Sequence, residues 1–145
     1  MGSEDLVDIA WNSDRRKWPN FFSQKGLTRK MRVYIAGPMV SEEHLGFPAF
    51  DAMAAELRLM GHEPVSPADL DREAGIDPET VDVDSFTQAD WLKIIRRDLD
   101  ALLTCDAIVM LEGWHRSTGA RAELAVAHFM HIPRLDTRHF RVMER

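Results

Sequence analysis

The chain has 145 residues, of which 45% are apolar, and this is enough for one domain with a sizeable core. Its single cysteine, Cys105, excludes a disulfide framework and a cysteine metal site, and its net charge of −6 argues against a duplex nucleic-acid binder. No apolar run reaches the roughly 18–20 residues of a membrane span, and Met1–Ala10 is acidic, unlike a secretory signal. We therefore expect a cytoplasmic protein.

The first part of the chain lacks clean periodicity but contains four large aromatic residues, Trp11, Trp18, Phe21 and Phe22. We predict an N-terminal extension over residues 1–30, either flexible or docked on the body or on a second subunit. Residues 31–145 then form the folded domain.

From Met31 onward, the pattern alternates between short β-branched or apolar runs and segments with helical spacing. The expected strands are Arg32–Ala36, Glu63–Ser66, Ala107–Leu111 and Ile132–Leu135. The expected helices are Phe47–Met60, Asp90–Thr104 and Gly119–Met130, and residues 67–86 are expected to form an acidic loop. This alternation predicts a parallel sheet whose ligands bind beyond the carboxyl ends of the strands.

Two carboxylates fall on the apolar faces of their predicted helices. On a helical wheel, Asp98 lies between Ile94 and Trp91, and Glu123 lies on the side of Ala127. An unpaired carboxylate in apolar surroundings has a raised pKa, and a charged carboxylate beside a protonated one is the arrangement used in glycosidic cleavage. The alternative is structural: Asp98 pairs with an arginine, and Glu123 caps a loop backbone.

The segment before Glu123 opens its helix with small and hydroxyl residues, Ser117, Thr118 and Gly119. Backbone N–H groups at such a start are free to hold an anion. This arrangement favours a phosphorylated small-molecule substrate.

Three segments resemble the nucleoside 2-deoxyribosyltransferase superfamily, which includes deoxynucleoside-monophosphate N-glycosidases. They are Tyr34–Pro38, Gly61–Ser66 before Pro67, and Gly113–Glu123. Within the superfamily the chain is most similar to the small DUF4406 proteins often found in phage genomes. The resemblance covers about residues 31–135.

The resemblance implies a flavodoxin-like (Rossmann-type) α/β fold, a three-layer sandwich around a parallel sheet of four or five strands. It also implies a homodimer or higher homo-oligomer. By position, Glu123 matches the nucleophile that attacks the anomeric carbon, Asp98 the acid that protonates the leaving base, and Tyr34 a tyrosine that orients the nucleophile. Ser117 and Gly119 match residues of a 5′-phosphate pocket.

Ser117 stands six residues before Glu123, where the resemblance implies serine for monophosphate hydrolases and aspartate for free-nucleoside transferases. An aspartate would repel a phosphate, whereas a hydroxyl and backbone amides would bind it. We therefore expect a nucleotide substrate. Further expected substrate contacts are Gly37, Pro38, Trp114, Arg116 and Thr118.

Three alternatives to nucleotide hydrolysis stay open at this point. The protein can pass the sugar to a second base as a deoxyribosyltransferase, bind a nucleotide without catalysis, or cleave a dinucleotide of the NAD type. No cofactor is expected. A metal site is not expected either, because His128 and His131 are spaced one residue short of i, i+4 and have no acidic third ligand.

Overall fold

The computed structural model describes residues 30–136. They form a four-stranded, all-parallel sheet in the order β2-β1-β3-β4. The strands are β1 (Arg32–Ala36), β2 (Glu63–Val65), β3 (Ala107–Met110) and β4 (Arg134–Leu135). All four predicted strands are present, and the predicted N-terminal extension lies outside the described residues, apart from Lys30.

Four helices connect and follow these strands. They are α1 (Phe47–Leu59), α2 (Pro67–Glu73), α3 (Gln88–Leu103) and α4 (Thr118–Phe129). Short 3-10 turns lie at Glu43–Gly46, Val83–Ser85 and Trp114–Arg116. Within residues 30–136, no helix combines the length and the apolar character needed to cross a bilayer.

The prediction of a loop over residues 67–86 is wrong for its first third, which forms helix α2. The Ser66 side chain accepts a hydrogen bond from the Ala68 amide at 3.2 Å, and Pro67 occupies the first helical position. Both are helix-start signals. Pro67, which directly follows the predicted strand Glu63–Ser66, therefore begins a helix.

The side chains of β1 alternate between two cores, one on each face of the sheet. Val33 and Ile35 pack with the α1 residues Phe50 and Leu57, while Tyr34 packs on the opposite face with the residues of α3 and α4. The result is the expected three-layer α/β/α sandwich with a flavodoxin-like strand order. Tyr34 thus faces the layer that carries both predicted carboxylates.

The apolar arc predicted for α3 is only partly buried. Asp98 and Leu102 are the buried residues of this helix, whereas Trp91, Leu92 and Ile95 are 36–45% exposed. Periodicity predicts which residues share a face, but not whether another element covers that face. The first half of the helix borders a cleft rather than the core.

Candidate active site

A cleft of about 640 Å³ opens at the carboxyl ends of β1 and β3. In a sheet of this order, β1 and β3 flank the point where the connections change direction, which is where α/β proteins bind ligands. The segment after β1, the first half of α3 and the start of α4 form its walls. Its lining includes Gly37, Met39, Val40, Ser41, Gln88, Trp91, Leu92, Ile95, Asp98, Arg116, Ser117, Thr118, Gly119 and Glu123.

Gly37 brings the two strand ends together at the base of the cleft. A Cβ at this position would lie 2.7 Å from the Leu111 Cβ, closer than real side chains approach. Only glycine allows β1 to run this close to the residue that follows β3. Gly37 therefore allows the close approach of the two strand ends that shapes the floor of the cleft.

Glu123 lies on α4 with only 7% of its surface exposed. Its Oε2 accepts a short hydrogen bond from the Tyr34 hydroxyl. Burial raises the pKa of Glu123 to about 7, the Tyr34 hydrogen bond opposes that rise, and the charge of Asp98 adds to it. The carboxyl is thus buried, oriented by one donor and sensitive to the second carboxylate.

Asp98 lies on α3 and is 9% exposed. Arg97 donates to its Oδ1 from Nε at 3.0 Å and from Nη2 at 2.8 Å. Burial raises the pKa of Asp98 to about 6, although the hydrogen bond and charge of Arg97 lower it. The alternative that Asp98 pairs with an arginine is therefore realised in the structure, but the pair coexists with a raised pKa and a place on the cleft.

Tyr34 is completely buried beneath the carboxylates. Its pKa is raised well above 10, first by burial and then by the charges of Glu123 and Asp98. The phenol consequently stays protonated and acts as a donor to Glu123. The structure thus brings together all three residues that were predicted to be catalytic.

The start of α4 supplies an anion-binding end to the cleft. The Ser117 Oγ accepts a hydrogen bond from the Ala120 amide at 3.2 Å, which leaves its own hydroxyl proton free to donate. The Thr118 and Gly119 amides have no carbonyl one turn earlier in the helix. A Cβ at Gly119 would meet nothing closer than 4.0 Å, so the surface above it is open.

Arg116 lines the same end of the cleft, and within residues 30–136 it takes part in none of the salt bridges. Its guanidinium lies over Gly113, whose φ of +85° permits the turn. Sulfate- or phosphate-like groups are favoured by such a cation beside a helix N-terminus. This end of the cleft suits an anion, and the buried carboxyls of Asp98 and Glu123 line the same cleft.

Two predicted substrate contacts do not line this cleft. Pro38 borders a neighbouring pocket with His44 and Glu112. The ring of Trp114 packs against the α4 side of the core and lies 5.1 Å from the Arg134 guanidinium carbon. Trp114 therefore packs on the core and against Arg134 and is not among the lining residues of the cleft.

Sequence reasoning missed the apolar wall of the cleft, formed by Met39, Val40, Trp91, Leu92 and Ile95. Helical spacing marks the three α3 residues as apolar-face positions but does not show that this face borders a cleft. It also missed Asp71, whose Oδ1 accepts from Arg97 Nη2 at 2.6 Å. The available signal for this network was that Arg97 directly precedes Asp98 in the sequence.

Comparison with known proteins agrees with the fold. The sequence model of DUF4406, a domain of unknown function, matches residues 31–134. A 2-deoxyribosyltransferase from Bacillus psychrosaccharolyticus superposes with a TM-score of 0.52 and 21% identity over 72% of this chain and 69% of that one. An allitol-bound ABC transporter solute binding protein from Agrobacterium vitis gives a TM-score of 0.42 and 20% identity, over 74% of this chain and 30% of its own.

The search of curated proteins finds no significant match. The family match covers most of the chain and all of the sheet except Leu135, the last residue of β4. The chain belongs to the DUF4406 family and shares the flavodoxin-like fold of the Bacillus 2-deoxyribosyltransferase.

Proposed function

We propose that the protein hydrolyses the N-glycosidic bond of a nucleoside or deoxynucleoside 5′-monophosphate. One observation carries the proposal: two buried carboxyls from different helices, Glu123 and Asp98, line one cleft with the start of α4. A pair of carboxyls is what glycosidic cleavage requires, and the helix start suits a phosphate. The fold-related Bacillus enzyme is a 2-deoxyribosyltransferase, and transfer of a deoxyribosyl group is chemistry of the same class.

The first step breaks the bond between the sugar C1′ and the base nitrogen. Glu123 attacks C1′ with a carboxylate oxygen while its Oε2 keeps the hydrogen bond from Tyr34. The electron pair of the C1′–N bond leaves with the base, and Asp98 donates its proton to the base. The products of this step are the free base and a sugar phosphate esterified to Glu123.

The second step returns the enzyme to its starting state. Asp98, now ionised, takes a proton from a water molecule as the water oxygen attacks C1′. The ester bond to Glu123 breaks, and its electron pair returns to the carboxylate. The sugar phosphate leaves with retained configuration at C1′, and Asp98 again carries a proton.

The phosphate and the base occupy opposite ends of the cleft in this proposal. Arg116, the Ser117 hydroxyl and the Thr118 and Gly119 amides hold the phosphate. The base then lies along the apolar wall, where Trp91 offers an aromatic surface for stacking. This placement leaves C1′ between the two carboxyls.

The test is a chromatographic assay for free base with a panel of ribo- and deoxyribonucleoside 5′-monophosphates, including modified bases. Wild type should release base from at least one nucleotide, and Glu123→Gln should lower the rate by about 10³-fold or more. Glu73→Gln, an exposed glutamate at the end of α2, is the matched control and should leave the rate unchanged.

Three other results would overturn the proposal. No release from any nucleotide by wild type, with binding unaffected in Glu123→Gln, would make the protein a nucleotide-binding module. Exchange with an added second base in place of hydrolysis would make it a transferase. Release of nicotinamide from a dinucleotide, with none of the monophosphates cleaved, would assign it to dinucleotide cleavage.

A further inference from the structure

A buried ionic network lies behind the proposed acid. Arg97 Nη2 donates to Asp71 Oδ1 at 2.6 Å and to Asp98 Oδ1 at 2.8 Å, so one guanidinium nitrogen joins two carboxylates from different helices. The side chains of Asp71 and Asp98 are only 10% and 12% exposed, and that of Arg97 is 25% exposed. Such a buried network costs desolvation energy and is weak grounds for a purely stabilising role.

The network does not line the cleft. Asp98 lines the cleft with Glu123, whereas Arg97 lines a separate hollow together with Phe86 and Lys93. Neither Arg97 nor Asp71 is among the lining residues of the cleft. Any effect they have on the reaction passes through Asp98.

The two carboxyl oxygens of Asp98 differ in their hydrogen bonds. Oδ1 accepts from both Nε and Nη2 of Arg97, so it cannot also carry a proton without opposing two donors. Oδ2 receives none of the hydrogen bonds found among residues 30–136. The proton of a neutral Asp98 belongs on Oδ2.

We propose that Asp71 is a positioning residue which, by holding Arg97, orients the Asp98 carboxyl and keeps its transferable proton on Oδ2. The part of this inference that concerns proton transfer rests on the proposed function. Asp71 also shares the positive charge of Arg97, so that this charge is not directed wholly at Asp98. Without Asp71, a full cation would face Asp98 and favour its ionised form.

The charged groups around Asp98 are consistent with this role of Asp71. Glu123 on α4 lines the same cleft, the Tyr34 hydroxyl on β1 donates to Glu123, and Arg97 and Asp71 form the ionic network with Asp98. Glu123 and Asp71 both favour the protonated form, and Arg97 alone favours the ionised form. Removing the charge of Asp71 therefore favours the ionised form of Asp98.

The experiment compares Asp71→Asn with Asp69→Asn, a control on the same helix whose partner is Arg72 at 2.9 Å. For the best nucleotide, Asp71→Asn should lower kcat about tenfold with KM within about twofold, because binding groups are untouched. The acid limb of its kcat/KM profile, which follows the lower pKa of the pair, should move to lower pH by about half a unit to one unit. Asp69→Asn should match wild type in all three quantities.

A second readout does not depend on turnover. Carbon-13 NMR of labelled aspartate carboxyls, with Asp98→Asn for assignment, gives the pKa of Asp98 in each variant. Asp71→Asn should lower that pKa by about half a unit or more, and Asp69→Asn should not. If wild type cleaves no nucleotide, the proposed function fails while this titration still decides the inference.

Arg97→Lys covers the case in which Asp71→Asn fails to fold. Lysine keeps the charge but cannot donate to Oδ1 from two nitrogens while also holding Asp71. It should lower kcat about tenfold and move the titration of Asp98. The inference is overturned if the folded variants lower only the melting temperature and leave kcat, the pH profile and the titration of Asp98 unchanged, since Asp71 and Arg97 would then be a structural ion pair alone.

Discussion

The Tyr34 hydroxyl donates a hydrogen bond to Oε2 of Glu123, a residue 89 positions further along the chain. The contact joins the centre of β1 to the first turns of α4 beneath the cleft. Because the phenol is fully buried, it stays a donor and opposes the burial that raises the pKa of Glu123. The same bond orients the carboxylate for attack.

Tyr34→Phe tests this relationship while keeping the aromatic ring in the core. We expect kcat to fall about 10- to 100-fold, because a hydrogen bond to a charged group contributes about 1.5–3 kcal/mol. The alkaline limb of the pH profile should move to higher pH, since Glu123 has the higher pKa of the pair and a donor that lowers this pKa is gone. Steady-state kinetics from pH 5 to 9 measure both effects, and an unchanged alkaline limb would contradict the role of Tyr34.

The pH dependence of wild type follows from the two carboxyls together. The pKa of Asp98 is about 6 and that of Glu123 about 7, and the reacting form carries one proton between them. We expect a bell-shaped kcat/KM profile with its maximum between about pH 6 and 7. Activity should fall below about pH 6 because both carboxyls are protonated, and above about pH 7 because both are ionised. The reacting form, with Glu123 ionised and Asp98 protonated, is the less populated of the two singly protonated forms. A profile that is flat from pH 5 to 9 would exclude the pair.

The stability of the fold should also depend on pH through Glu123. Its pKa is raised from 4.5 in the reference state to about 7, so its contribution is fully present below pH 4.5 and is lost as pH rises through 7. Glu123→Gln removes this loss. The free energy of unfolding of the variant relative to wild type should therefore rise by on the order of 2–3 kcal/mol between pH 5 and pH 8. Urea unfolding at both pH values measures the gain. Glu73→Gln should show no such trend, and an equal trend in both variants would rule the explanation out.

The preference for a phosphorylated substrate is tested at Ser117. Aspartate is also a good helix N-cap, so Ser117→Asp preserves the start of α4 while placing a negative charge where the phosphate is proposed to bind. We expect kcat/KM for the nucleotide to fall about 100-fold and that for the matching nucleoside to change by less than about threefold. An equal loss for both substrates would show that the phosphate is not held at this end of the cleft.

Most of the fold could be predicted from the sequence because strands and helices differ clearly in period. The β1 run Arg32–Ala36 has the predicted bounds, and α1 ends one residue before its predicted end. Helix α2 could not be predicted because its start signal, Ser66-Pro67, reads equally well as a strand followed by a turn. Tertiary packing against α1 decides between them.

The candidate site could be predicted in part for a related reason. A helical wheel places Asp98 and Glu123 on apolar faces, and parallel topology brings both helices to one edge of the sheet. The same wheel places Arg97 outside the apolar arc, yet its long side chain folds back to Asp98 and reaches Asp71 on α2. The contact between Arg97 and Asp71 depends on helix α2, which the sequence pattern did not predict.

Trapping the glycosyl-enzyme ester is the most direct test of the central claim that Glu123 is the nucleophile. A 2′-fluoro nucleotide with a good leaving base slows breakdown of the ester, and mass spectrometry of the quenched, digested protein then locates the adduct. We predict one added fluoro-sugar phosphate per chain, on the peptide that contains Glu123. Release of the base from this analogue with Glu123 unmodified, or with the adduct on another residue, would contradict the account.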